Sequence, residues 1–101
     1  MVEFLPLGNW KFDPSNELKF VMKDNSMAPT IVLGEILIVD KSVDSLSKVL
    51  VVFHQGKMIA RKVRRLEEGG YELVPDNPDY PTFKTEKLQI IGGVVATARG
   101  L

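Results

Sequence analysis

Nowhere does this chain hold a helical apolar period long enough to organise a fold. Its apolar residues come in short, mostly alternating runs, cut by turn signals at roughly ten-residue intervals, the pattern of a sheet. Candidate strands are Leu18–Lys23, Glu35–Val39, Lys48–His54, Met58–Arg65, Tyr71–Val74 and Gln89–Ala98. Between them lie Asn25-Ser26, Gln55-Gly56-Lys57, Glu68-Gly69-Gly70 and the Pro-rich stretch Pro75–Pro81. Gln55-Gly56 between two apolar runs is a hairpin signal. Only Met27–Leu33, with room for one turn, and the short polar segment Val43–Lys48 leave space for helix. The expected class is therefore mainly β, with short, twisted, mostly antiparallel strands. At 101 residues the chain is expected to form one domain, 1–101. Residues 1–17 read as an extended arm with turns and 18–101 as the core, with Trp10 and Phe12 as candidate buried or arm-anchoring residues.

Composition closes several routes to function. Lys plus Arg and Asp plus Glu both number 13, so the formal charge is zero. That balance argues against a generally nucleic-acid-binding surface and makes self-association reasonable. Arg61, Lys62, Arg64 and Arg65 read as a solvated basic strand end. With no cysteine there are no disulfides, thiolate nucleophiles or zinc–thiolate sites. One histidine and scattered carboxylates give no metal site, and no cofactor is expected. No apolar run approaches the about 20 residues of a membrane helix. Met1–Pro6 lacks the build of a signal peptide, so a cytoplasmic setting without membrane contact is expected.

One polar knot stands between two apolar runs: Asp24-Asn25-Ser26-Met27-Ala28-Pro29. Ser26 is ordinary at a turn, but as a nucleophile it needs a base. His54 ends a strand beside a hairpin, where a solvated histidine is the plain reading. Lysine is the other route, because a desolvated ammonium gives up its proton more easily. In "MIARKVRRL", Met58, Ala60, Lys62 and Arg64 share one strand face, and Ile59, Arg61, Val63 and Arg65 share the other. The Lys62 face begins apolar, as a desolvated lysine requires.

"NSMAPTIVLGEILIVDKS" resembles the Ser-Met-x-Pro block of the LexA/UmuD-like serine peptidases, which include the C-terminal domains of phage-type repressors. The second block, "IARKVRRLEEGGYELVPDNPDYP", resembles that family's lysine-bearing strand, hairpin and Leu-x-Pro-x-Asn-x-x-Tyr stretch, with Leu73, Pro75, Asn77 and Tyr80 in register. Ile91-Gly92 entering Val94–Ala98 is a third match. Glu35 stands where Asp is usual, and Ser47-Lys48 where a Gly-Asp-like turn often precedes the next strand.

Counting back from Pro75 by the family's spacing lands on Lys62. The resemblance thus implies a Ser-Lys dyad, with Ser26 as nucleophile and Lys62 as general base. It also implies backbone N–H groups of Asn25 and Ser26 as oxyanion donors. Met27 is expected to pack under the serine turn, and Pro29 to fix the backbone after it. Implied partners are a second copy in a homodimer, a RecA filament, and a peptide segment of its own or a partner chain as substrate. DNA would be reached only through an N-terminal domain that this chain lacks. Only 25 residues precede Ser26, with no Ala-Gly or Cys-Gly pair, and Gly8 follows Leu7. The usual intramolecular cleavage is therefore not expected. Two functions remain open: the self-cleaving, dimerising domain of a LexA-like or phage-type repressor in a DNA-damage (SOS) or prophage switch, or a processed UmuD-like module that binds a translesion polymerase.

Overall fold

The computed structural model describes residues 2–6 and 15–100, with side chains over 15–98. Eight strands run in the order β1 (Val2–Pro6), β2 (Glu17–Val21), β3 (Ile36–Asp40), β4 (Leu50–His54), β5 (Lys57–Arg65), β6 (Tyr71–Val74), β7 (Phe83–Thr85) and β8 (Gln89–Gly100). All pairings are antiparallel, and the sheet order is β2-β3-β8-β4-β5-β6-β7 with β1 also on β8. The mainly-β expectation therefore holds. No helix among the described residues is long and apolar enough to cross a membrane. The helical turn allowed at Met27–Leu33 amounts to turns, with one Ile31 N–H to Met27 C=O bond of 2.9 Å. Part of the arm is strand β1; Gly8, Trp10 and Phe12 lie outside the described residues.

Long β8 is the spine. β3 lies on one edge, and β4 and β1 share the other end to end. It carries an extra residue at Val95 against β3 and at Ile91 against β4. Gly92, between them, has no room for a side chain: a Cβ would come within 2.6 Å of the Asp40 carbonyl oxygen. The β4–β5 hairpin turns on Gln55 and Gly56, both at positive φ (50° and 79°), the twist a two-residue connection favours.

The interior strands are covered on both faces. Val51 of β4 packs with Met22, Met27, Ile31, Leu37, Val39, Ala60 and Val94. Its neighbours Leu50 and Val52 face the other way, onto Val63 and Leu73, with Ile59 and Phe83 alongside. Strand β5 changes partner midway. Its first half, to Arg61, pairs with β4, and from Lys62 onward it pairs with β6. The candidate site sits at this changeover.

Candidate active site around Ser26

The serine turn is anchored from below and clamped from above. Met27, fully buried, plugs it into the first core cluster, as expected from sequence. Burying a methionine side chain is worth about 1.5–3 kcal/mol, which contributes to holding the turn against the sheet. The Ala28–Pro29 peptide is cis. Above, the stretch after β6 closes over the turn. Asn77 N–H donates to the Ser26 carbonyl (3.0 Å), and Asn77 Nδ2 donates to the Asn25 carbonyl (3.0 Å). Thr30 Oγ1 donates to Asp76 Oδ2 at 2.7 Å. The Pro-x-Asn-x-x-Tyr stretch thus pins the backbone of the serine turn. Ser26 itself is 0% exposed.

The side chain facing Ser26 belongs to Arg61. Its Nη1 donates to Ser26 Oγ at 2.7 Å and to the Ala60 carbonyl at 2.8 Å. Lys62, expected at this place, points the other way, with Nζ 2.9 Å from Asp76 Oδ1 and a side chain 58% exposed. The Ser26–Lys62 contact that the resemblance implies is therefore not formed in this structure. Lys62 does share a face with Ala60, which is buried, but the cover ends there; Met58, on the same face, is 49% exposed. Arg61 lies between Ile59 and Val63, both packed in the second cluster, and is only 3% exposed.

Burial pushes the Arg61 guanidinium's pKa down from its ordinary value, opposed by the charges of Asp24 and Tyr80. An arginine keeps its proton in folded proteins even when burial lowers its pKa. The guanidinium therefore donates to Ser26 Oγ and does not act as acceptor for its proton.

The expected oxyanion donors are also engaged. Ser26 N–H donates to Asp24 Oδ1 at 3.0 Å, and Asn25 N–H donates to the Tyr80 hydroxyl at 3.3 Å. A carboxylate oxygen thus accepts from the amide that the resemblance assigns to the oxyanion; there its negative charge would oppose a developing oxyanion. His54 packs against Phe83, with ring centres 5.0 Å apart, and its Nε2 is buried without a hydrogen-bond partner.

The basic run is not one patch. Besides buried Arg61, Lys62 pairs with Asp76, Arg64 with Glu72, and Arg65 lies 5.9 Å over the Tyr71 ring. Desolvation pushes the Asp76 carboxyl up, but hydrogen bonds from Lys62 and Thr30 and the Lys62 charge outweigh it. Its pKa ends below the ordinary carboxylate value.

Arg61 is readable from sequence in one respect. Its face places an apolar residue on each side, Ile59 and Val63, whereas the Lys62 face runs on to Arg64. Counting back from Pro75 misses it because the count crosses a hairpin. Strand faces are fixed by a two-residue period, but a turn's length is not. Here five residues, 66–70, separate the paired Arg65 and Tyr71.

Comparison with known proteins matches residues 3–95 to the model of a family described as Peptidase S24-like. No curated protein matches the chain at a significant level.

Proposed function

The chain belongs to the Peptidase S24-like family, that of the LexA, UmuD and phage-repressor self-cleaving serine peptidases, and from this premise we propose that it works by binding and not by cleavage. The observation that carries the proposal is Arg61 Nη1 on Ser26 Oγ at 2.7 Å, in the place of a base. Asp24 on the Ser26 amide and the complete burial of Ser26 support the same reading. Acyl transfer needs a proton acceptor at the hydroxyl and free donors at the oxyanion, and the resting site supplies neither.

Of the two functions the sequence left open, the non-cleaving one is favoured. The chain acts as an interaction module of the repressor or UmuD-like type, with the peptidase scaffold kept and its chemistry set aside. Homodimerisation belongs to this reading, consistent with zero formal charge and with exposed apolar side chains at Leu18, Val21, Leu33, Phe53 and Met58.

Prolonged alkaline incubation with an added peptide carrying an Ala-Gly bond, followed by mass analysis of both chain and peptide, tests it. High pH favours any lysine-based cleavage. The expected result is an unchanged mass of chain and peptide, for the wild type and for Lys62→Ala alike. A discrete cut in either that disappears in Lys62→Ala would overturn the proposal.

A further inference from the structure

Beside Ser26 a cleft of about 430 Å³ opens, with Arg61 in its wall. Apolar walls come from Ile59, Pro81 and Phe83, and polar ones from His54, Lys57 and Tyr80. We propose that this cleft binds a monoanionic carboxylate carried on a small apolar body, such as the free C-terminal residue of an apolar peptide, with Arg61 as its counter-ion. The inference rests on the non-cleaving reading above, since it uses Arg61 as a permanent cation.

Arg61 is 3% exposed, and the carboxylates beside its strand are taken by other cations, Asp76 by Lys62 and Glu72 by Arg64. Its hydrogen bonds run through Nη1 to two neutral oxygens, and Nε is buried without a partner. Asp24 acts on it only through space, with Oδ1 committed to the Ser26 amide. A buried cation in this state is costly, and arginine's fork suits a carboxylate.

Charge and shape narrow the ligand. Around the cleft stand Arg61, Lys57 and one opposing carboxylate, Asp24, which leaves about one net positive charge to balance. That fits a monoanion better than a phosphate dianion, which calls for more donors. Phe83, with the Arg61 guanidinium carbon 5.9 Å from its ring centre, and Ile59 offer surface to an apolar body.

Titration of isotope-labelled chain with acetyl-Ala-Leu, as free acid and as carboxamide, and with inorganic phosphate tests the site by amide chemical-shift changes. The free acid is expected to shift signals around the cleft saturably, with at least tenfold weaker binding of the carboxamide and of phosphate. Arg61→Met, its fold checked by the same spectra, is expected to lose at least tenfold, and Lys57→Gln about two- to fivefold. Equal binding of acid and carboxamide, equal competition by phosphate, or unchanged binding by Arg61→Met would each overturn the inference. Absence of binding while Ser26 stays unreactive overturns this site alone. Reactivity of Ser26 overturns the reading beneath it.

Discussion

At the scale of the residue, Arg61 is held at a cost. Its guanidinium is desolvated, its Nε has no partner, and its two acceptors, Ser26 Oγ and the Ala60 carbonyl, are neutral. Buried ionic groups replaced by apolar ones of similar volume often leave a protein as stable or more so, by about 1–4 kcal/mol. Arg61→Met keeps the unbranched stem and removes the charge. It is expected to change unfolding stability by no more than about 1 kcal/mol in urea titration, because relief of the buried charge is offset by the two hydrogen bonds lost with it. A loss of several kcal/mol would mean that the guanidinium is a structural keystone of the turn. Lys62 is the opposite case: half in solvent, it contributes through Asp76 and not through Ser26.

At the scale of the element, the segment joining β6 to β7 is a clasp. Asp76 takes hydrogen bonds from Thr30 of the serine turn and from Lys62 of β5, so one carboxylate ties three parts of the chain together. Its folded pKa lies below its unfolded value. Its stabilisation is therefore complete above the unfolded carboxylate pKa, about 3.9, and is lost as pH falls through the lower folded value. Asp76→Asn is expected to cost about 0.5–1 kcal/mol near pH 7, an amount kept small by solvent screening of Lys62. In denaturant titrations at a series of pH values, the gap between Asp76→Asn and wild type should close on acidification below about pH 4. A gap independent of pH would assign the clasp to something other than this carboxylate.

The elements are mostly legible in the sequence, because alternation and turn residues act over a few residues. Tyr71–Val74 appears with the expected bounds, and the others shift by one or two residues. Strand β7 is not legible: three residues carry no period, and its place is fixed by pairing with β6. Strand β1 reads as an arm in sequence, since its identity as a strand comes from pairing with β8 at the far end of the chain. The serine turn can be recognised, but its partner cannot be counted to across a hairpin. The engagement of the Ser26 and Asn25 amides by Asp24 and Tyr80 depends on three-dimensional placement that no spacing expresses.

At the scale of the whole molecule, the fold is that of a Peptidase S24-like chain, with Arg61 set against the serine turn. The spine β8 carries β3 on one edge and β4 and β1 on the other, β5 turns from β4 to β6, and the serine turn fits onto the covered face beside that changeover. A shift of one residue along β5 decides which cation faces the serine, because neighbouring strand residues point to opposite faces. The proposed function turns on Ser26 Oγ accepting from Arg61. Reaction of the folded chain with a fluorophosphonate, followed by intact-mass analysis and mapping of the modified residue, reads that state of the serine. No adduct at Ser26 is expected in wild type, and none in Lys62→Ala. A stoichiometric adduct at Ser26 in wild type that is lost in Lys62→Ala would show that the lysine, and not the arginine, governs the serine.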